Sequence, residues 1–356
     1  MSQEPTPGRT LELVRQSYRE ISLYAPNRAP CAIDLSDNTN LYGVPPTAEK
    51  TFREMALPAI TRYPLLYAAE LKAALSAYCG VDAKHIVTGC GSDDVLDSAV
   101  RAFAEPGDTL AYPEPSFAMM PLFAKMNALK GVGVRLKSDF DIDAEGMLAT
   151  GAKIIYVCSP NNPTGTLASK AALEKVIANA PGVVILDEAY AEFCEQNYLA
   201  DASRHGRLLV VRTLSKAFGL AGLRIGYAVG TEALVNEVEK SRGPYKVNGV
   251  AERTAVAALR HDLGWVKEKV QDSVRNRARL VEALKGLGLT ALPSGANFVL
   301  VPVPKNAVEL DKGMRQRGVA VRPFTHLPGI GEALRISLGP WEQVQAALDA
   351  LKAVLA

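Results

Sequence analysis

The chain has 356 residues, and its content of 48% hydrophobic and 22% charged residues is typical of a globular protein and excludes a disordered or fibrous one. Its 40 basic and 38 acidic residues leave a formal charge of +2, and no basic tract is interleaved with aromatic residues, so we expect no nucleic-acid partner. No apolar run reaches membrane-spanning length and residues 1–10 lack the pattern of a secretory signal, so we expect no membrane partner.

Residues 1–40 are predicted to form an N-terminal arm, with a short amphipathic helix around TLELVRQSYREI and then an extended piece. From residue 41 onward, short apolar runs rich in valine and isoleucine alternate with segments of helical periodicity. Seven runs are candidate strands: HIVTG, DTLAY, GVGVRL, KIIYVCS, GVVILDE, RLLVVRT and IGYAVG. Apolar strands that alternate with helices predict an α/β fold, a mostly parallel, mixed sheet of seven strands covered by helices. We expect it to form a large domain at 41–248.

The predicted elements follow a different order in the last part of the chain. A long helical segment at about 251–287 precedes the strand-like ANFVLVPV, a helix, VAVRPF, ALRISLG and a last helix. In that last helix Val344, Leu348 and Leu351 recur at helical spacing and predict one buried face. Residues 249–356 are therefore predicted to form a smaller α+β domain, which the arm joins.

The strand ends are the places to look for a site, because ligands of such sheets bind at the carboxyl ends of the strands. The first strand leads through GCGSDD into a helix that begins at Ser92 and Asp93. Free N–H groups at a helix N-terminus, next to glycines that allow close approach, can bind phosphate. A simple N-cap explains the same residues equally well. A dinucleotide-binding fold is disfavoured because no full GxGxxG is present.

Two further strand ends carry an amide and a carboxylate. Asn162 lies in SPNNPTG, an ordinary turn sequence whose position over the sheet edge favours a functional role. Asp187 ends the aliphatic run GVVILD, so its carboxylate is partly desolvated and is either protonated or faces a cation. We interpret Asp187 and Tyr190 as functional, and Glu188 and Glu192 as ordinary capping or solvated acids.

The stretch TLSKAFGLAGLRIGY contains the most informative lysine. Lys216 directly follows the strand RLLVVRT. A lysine at a loop tip is most often a solvated charge, but this one is accompanied by Thr213, Ser215 and Arg224, three groups suited to an anion. Together the strand ends provide an amine, a carboxylate, a phenol, an amide and a phosphate site. That set suits pyridoxal 5'-phosphate (PLP), whose aldehyde reacts with a lysine and whose ring nitrogen pairs with an aspartate.

Four ordered motifs, SPNNPTG, DEAY, TLSKAFGLAGLRIGY and LRISLG, resemble those of the fold-type-I PLP-dependent aminotransferases over essentially the whole chain. Within that superfamily the chain is most similar to the histidinol-phosphate aminotransferase family. The supporting segments are ISLYAPNRAP, DLSDNTNLYGVPP, RYP and GSDDVLDSAVRAFAEPGD. The resemblance implies transamination between an amine and 2-oxoglutarate, most simply conversion of histidinol phosphate to imidazole acetol phosphate in histidine biosynthesis.

The resemblance also implies roles for the cofactor-binding residues. Lys216 would attach the cofactor as a Schiff base and later move a proton, Asp187 would pair with the ring nitrogen, and Phe117 would stack on the ring. Tyr190 and Asn162 would bind its phenolic oxygen. The residues implied to hold the phosphate are Ser92, Asp93, Thr213, Ser215 and Arg224.

Other residues are implied to act on the substrate or between subunits. Tyr63 would reach the phosphate of the neighbouring subunit's cofactor, which implies a homodimer with shared active sites. Arg335 would bind the anionic end of the substrate, with Arg322, Tyr24 and Asn40 as weaker candidates. The sequence departs from the family pattern at 38–41, which read Asn-Thr-Asn-Leu instead of Asn-Glu-Asn-Pro, and at Leu65, Met120 and Phe117. Most departures concern the substrate side, so the amino donor stays open.

Three alternatives use the same residues. The first alternative is an aminotransferase for aromatic or other amino acids. The second is a PLP-dependent decarboxylase of a phosphorylated amino acid, and the third is a non-catalytic PLP-binding protein. Five scattered cysteines without CxxC spacing favour reduced thiols and a cytoplasmic location. The four histidines show no metal-ligand spacing, so we expect no metal site.

Overall fold

The computed structural model describes residues 13–23 and 29–355, so Tyr24 lies outside the described residues. Its strands are β1 (Ile33–Asp34), β2 (Ile86–Cys90), β3 (Thr109–Glu114), β4 (Lys130–Arg135), β5 (Ile154–Cys158), β6 (Val183–Asp187), β7 (Leu208–Thr213), β8 (Ile225–Val229), β9 (Phe298–Pro302), β10 (Val319–Ala320), β11 (Arg322–Leu327) and β12 (Gly331–Ser337). Its α-helices are α1 (Pro46–Arg53), α2 (Pro58–Thr61), α3 (Ala69–Cys79), α4 (Ser92–Phe103), α5 (Met119–Met126), α6 (Ala144–Ala149), α7 (Lys170–Asn179), α8 (Leu199–Ala202), α9 (Glu232–Lys240), α10 (Gly249–His261), α11 (Leu263–Gly286), α12 (Ala307–Arg315) and α13 (Trp341–Leu355). None of these helices is long and apolar enough to cross a membrane.

Seven strands form the central sheet in the order β2-β8-β7-β6-β5-β3-β4. All neighbours are parallel except those of β8, which runs antiparallel to β2 and β7. Every residue of β5, β7 and β8 is buried, as expected for strands covered by helices on both faces. The mostly parallel, mixed sheet predicted from the sequence is confirmed.

Two apolar cores lie against the central sheet, because successive strand residues point to opposite faces. Ile155 and Val157 of β5 belong to the core that includes residues of α3, α7 and α10. Ile154 and Tyr156 of the same strand belong to the other core, with residues of α4, α5 and α9. The sheet is therefore held from both sides, and its strand ends are fixed.

A smaller sheet of three antiparallel strands has the order β11-β12-β9. Its core is closed by α12, α13 and the C-terminal part of α11, which supply Leu310, Leu348 and Leu284. The described part of the N-terminal arm joins this unit, because Ile33 of β1 pairs in parallel with Val319 of β10.

The described part of the N-terminal arm contains less helix than the sequence predicts. Within residues 13–23 the structure has one turn of 3-10 helix, Gln16–Tyr18. Leu13 and Val14 of the predicted helix are 88% and 36% exposed. An amphipathic helix of this length is stabilised mainly by burial of its apolar face, and these two residues are not buried.

The long helical segment predicted at about 251–287 is two helices, α10 and α11, which meet at Asp262. The Asp262 carboxylate accepts hydrogen bonds from the backbone N–H groups of Thr47 and Ala48, at 3.1 and 3.0 Å, and thereby caps the first turn of α1. This contact spans more than 200 positions, so local periodicity does not reveal it. The buried residues of α10 belong to the core of the central sheet. The predicted domain boundary at 248/249 stays a prediction.

Candidate active site

The carboxyl ends of β2, β5, β6 and β7 lie at one edge of the central sheet, because these four strands run in the same direction. β2 leads through Gly91 into α4. Cys158 at the end of β5 is the register partner of Asp187 at the end of β6. β7 ends at Thr213, just before Lys216. The fold therefore brings residues of four separate motifs to one edge.

Lys216 faces the segment of the arm around Asp37. Its Nζ atom is 3.4 Å from the backbone oxygen of Asp37 and 5.7 Å from the centre of the Tyr190 ring. Burial, reinforced by the positive charge of Arg335, lowers the pKa of Lys216 to about 8. Such an amine has a far larger neutral fraction near neutral pH than a solvated lysine has, and the neutral form is both nucleophile and proton acceptor.

Asp187 is buried, and both of its carboxylate oxygens have a donor. The Tyr156 hydroxyl donates to Oδ2 at 2.8 Å, and the Ala189 N–H donates to Oδ1 at 3.0 Å. Burial raises the pKa of Asp187 to about 6, although both hydrogen bonds oppose the rise. The carboxylate is thus held in one orientation and is ready to pair with a cationic group.

Arg335 and Tyr190 connect the central sheet to the smaller unit and to the arm. The Arg335 guanidinium donates to Oδ1 of Asn162 and to the backbone oxygen of Ser36, both at 2.6 Å. The Tyr190 hydroxyl accepts a hydrogen bond from Nδ2 of Asn38 at 3.0 Å. Burial raises the pKa of Tyr190, so its phenol stays neutral and can still donate.

The N-terminus of α4 and the loop between β7 and β8 form an anion cradle. An added Cβ at Gly91 would lie 2.4 Å from Nη2 of Arg224, and one at Gly226 would lie 2.1 Å from the backbone nitrogen of Ser92. These two glycines therefore allow the guanidinium and the helix terminus to come close. The Oγ1 atom of Thr213 lies 2.9 Å from Oγ of Ser215 at the adjoining strand end. Helix N–H groups, hydroxyls and a guanidinium together are a donor set for phosphate.

Asp93 lies on the rim of this cradle. Its Oδ2 atom is 3.3 Å from Nη2 of Arg224, and both side chains are about half exposed. Phe117 is partly buried against the core that includes Tyr156. The Asn40 amide donates to the backbone oxygen of Ala217 at 2.8 Å, so its side chain fixes the loop after Lys216.

The remaining predicted residues lie at the edges. Arg322 of β11 is the register partner of Arg335 of β12. Tyr63 is 82% exposed and stacks on Tyr245, with ring centres 4.9 Å apart. Tyr24 lies outside the described residues.

The interpretation of Glu188 and Glu192 as solvated or capping acids is wrong, because Glu188 is buried and Glu192 is half-buried, with its Oε2 atom out of contact with water. The Arg212 side chain donates to Oε2 of Glu188 at 2.9 and 2.6 Å, and the Tyr78 hydroxyl donates to Oε1 of Glu192 at 3.2 Å. Strand alternation indicates the burial of Glu188, because successive residues at a strand end point to opposite faces of the sheet and helices cover both faces here.

Asn38 and Tyr156 each donate a side-chain hydrogen bond to a predicted residue, and neither of them is predicted from the sequence. Tyr156 shares a face of β5 with Cys158, the register partner of Asp187, so strand alternation would have indicated it. Asn38 contacts Tyr190 across 152 positions, and only the fold reveals that contact.

The residues at this edge fit PLP. An amine with a lowered pKa, a buried carboxylate, a phenol, an amide and an anion cradle are the groups that such a cofactor requires. Within residues 13–23 and 29–355, no group of three or more His, Cys, Asp or Glu side chains is placed to hold a metal ion.

Comparisons with known proteins agree with this chemistry. The profile of the family described as aminotransferase class I and II matches residues 31–351. The histidinol-phosphate aminotransferase of Thermoanaerobacter pseudethanolicus is 34% identical over 349 residues, which cover 96% of this chain and 99% of the relative. Histidinol-phosphate aminotransferase 2 of Pseudomonas aeruginosa is 36% identical over 368 residues, covering 97% and 98%.

Among solved structures, the histidinol-phosphate aminotransferase of Sinorhizobium meliloti in complex with pyridoxal-5'-phosphate superposes with a TM-score of 0.85 at 25% identity. The superposition covers 94% of this chain and 96% of that one. The fold and the site define an enzyme of the fold-type-I aminotransferase class. The chain belongs to the aminotransferase class I and II family, and the resemblance found in the sequence is confirmed.

The lowered pKa of Lys216 predicts a distinct pH dependence of its reactivity. In cofactor-free protein, competitive labelling with acetic anhydride, read by peptide mass spectrometry, should show Lys216 becoming reactive as the pH rises through about 8. The sign follows because burial disfavours the ammonium form, so the nucleophilic amine forms at lower pH than the value of about 10.4 for a free lysine. Lys170, whose side chain is 78% exposed, reports the reagent's own pH dependence. A midpoint for Lys216 near that of a free lysine would contradict the account.

Proposed function

We propose that this protein is a PLP-dependent aminotransferase that moves the amino group of histidinol phosphate to 2-oxoglutarate. The observation that carries the proposal is the meeting of Lys216, Asp187 and the anion cradle at one edge of the sheet. Asp187 ends β6, Lys216 follows β7, and the cradle combines the helix that follows β2 with the loop after β7. Each of the three has the chemistry that one part of the cofactor needs. The names of the relatives at 34–36% identity favour the donor.

Some of these site residues bind the cofactor, and Lys216 transfers the proton. When bound, PLP supplies an electron sink for the bond that breaks at the substrate carbon. Asp187 holds a negative charge for the ring nitrogen, and Arg224 with the N-terminus of α4 holds the phosphate. Lys216, with a pKa of about 8, accepts a proton and returns it near neutral pH.

The substrate end of the site is assigned to Arg335. Its guanidinium lies over the Phe298 and Phe324 rings, 5.3 and 5.7 Å from their centres. Aromatic faces and the contacts to Asn162 and Ser36 fix the plane of the guanidinium, and a fixed fork favours a two-point contact with a phosphate or a carboxylate. Both the donor and 2-oxoglutarate carry such a group.

A panel of amino donors tests the proposed substrate. With purified protein, PLP and 2-oxoglutarate, kcat/KM should be at least about 100-fold higher for histidinol phosphate than for phenylalanine or tyrosine. The reason is that the phosphate of histidinol phosphate offers the Arg335 fork a charge of about −1.5 to −2 and three acceptor oxygens, whereas phenylalanine and tyrosine offer it only a singly charged carboxylate.

Two results would redirect the assignment. Equal or better turnover of phenylalanine or tyrosine would make the protein an aminotransferase for aromatic amino acids. Release of carbon dioxide from a phosphorylated amino acid without any 2-oxo acid would make it a decarboxylase. Omission of 2-oxoglutarate is the control that separates the two reactions.

We also propose a homodimer with shared active sites, in the cytoplasm. Tyr63 lies 82% exposed in a segment whose neighbours Ile60, Leu65 and Leu66 are 68%, 52% and 57% exposed. An exposed apolar surface of this kind favours contact with a second protein surface. The free cysteines fit a reducing compartment, which cell fractionation would test.

Hybrid complementation tests the shared site. Lys216→Ala and Tyr63→Ala are each expected to lower activity strongly. After subunit exchange, their mixture should regain about a quarter of wild-type activity. The reason is that half of the dimers are hybrid, and one of the two sites in each hybrid has both native residues. The mixture of either variant with itself is the control. A mixture no more active than the two variants apart would contradict sharing of Tyr63 across the interface.

A further inference from the structure

Tyr156 is a buried phenol that contacts Asp187 directly. The two residues are 0% and 4% exposed, and the Tyr156 oxygen lies 2.8 Å from Oδ2 of Asp187. In the register of β5 and β6, Tyr156 pairs with Ile185, two residues before Asp187. The side chains of Tyr156 and Asp187 therefore lie on the same face as a diagonal pair, a spacing that a tyrosine can bridge.

The direction of this hydrogen bond is fixed by burial. Burial raises the pKa of the Tyr156 phenol well above its usual value, so the hydroxyl keeps its proton and donates to the carboxylate. The hydrogen bond favours the ionised form of Asp187 and opposes the desolvation that raises its pKa. The titratable and charged groups that face Asp187 are Asp93 on α4, Tyr156 and Cys158 on β5, Tyr190 after β6 and Lys216 after β7.

We propose that Tyr156 is a positioning residue of the active site, which holds the Asp187 carboxylate ionised and in one orientation for the ring nitrogen of the cofactor. The inference rests on the proposed function, because the pyridine ring is the group that Asp187 serves. With Tyr156 on Oδ2 and the Ala189 N–H on Oδ1, the carboxylate plane is set before the cofactor arrives. Such preorganisation strengthens the pairing of a charge with its partner.

A matched residue separates this role from packing. Tyr227 is also fully buried in the central sheet, but its hydroxyl lies 3.6 Å from the sulfur of Cys79. Tyr227 and Tyr156 lie in different apolar cores, on opposite sides of the sheet. Tyr227→Phe thus removes a buried hydroxyl from the same sheet without touching the carboxylate.

The test compares Tyr156→Phe with Tyr227→Phe and the unchanged protein. The first readout is the pKa of Asp187 in cofactor-free protein, from the pH titration of its ¹³C carboxyl signal, assigned with Asp187→Asn. We expect Tyr156→Phe to raise that pKa, since a donor to the ionised form is lost. The second readout is the dissociation constant for PLP at pH 7 by equilibrium dialysis, which should rise about tenfold in Tyr156→Phe, the scale of one hydrogen bond to a charged group. Tyr227→Phe should leave both unchanged.

A second substitution acts in the opposite direction and keeps the shape of the core. Placing 3-fluorotyrosine at position 156 alone makes the phenol a stronger donor, so the pKa of Asp187 should fall below that of the unchanged protein. The 3-fluorotyrosine variant decides the question if thermal unfolding shows that Tyr156→Phe is not folded.

The outcomes distinguish the inference from the function it rests on. An unchanged pKa of Asp187 in both position-156 variants, or PLP binding in Tyr156→Phe equal to that in Tyr227→Phe, would overturn the role of Tyr156. Failure of the unchanged protein to bind PLP would overturn the proposed function, while the titration of Asp187 would still decide whether the hydrogen bond acts as described.

Discussion

The cleft depends on keeping a carboxylate and an amine, Asp187 and Lys216, largely out of water at neighbouring strand ends. Removing an isolated charge from water costs several kcal/mol, and the groups respond by shifting towards their neutral forms. The pKa of the acid is raised to about 6 and that of the base is lowered to about 8. Hydrogen bonds from Tyr156 and Ala189 keep the carboxylate in place. Such opposed shifts in one cleft are typical of sites that transfer protons.

A second pair of charged side chains lies at the ends of β6 and β7, on the sheet face opposite to Asp187, and holds these strand ends together. Arg212 and Glu188 directly adjoin Thr213 and Asp187 in the chain, and their side chains lie 2.6 Å apart at 7% and 1% exposure. Arg212 also donates to Asn197 at 3.0 Å. Leaving one such charge without its partner costs about 3–5 kcal/mol. The pair therefore anchors the two strand ends from behind the site.

The sequence predicts the parts of the molecule that short-range patterns encode. The seven strands and the four strand-end motifs follow from apolar runs and from residue order, and the structure confirms the sheet. Contacts between distant segments could not be predicted. Asp262 caps α1 across more than 200 positions, and Asn38 reaches Tyr190 across 152 positions only once the arm is packed. The amino donor depends on such contacts, so motifs alone leave it open.

Reduction with borohydride tests the central claim most directly. The protein is incubated with PLP, reduced, digested and analysed by peptide mass spectrometry. The account predicts loss of the cofactor's imine absorption band and a pyridoxyl phosphate mass on Lys216 alone. Lys216→Ala, with its fold verified by circular dichroism, should carry no such mass. A cofactor mass on another lysine, or binding of PLP without any covalent trapping, would contradict the assignment of Lys216.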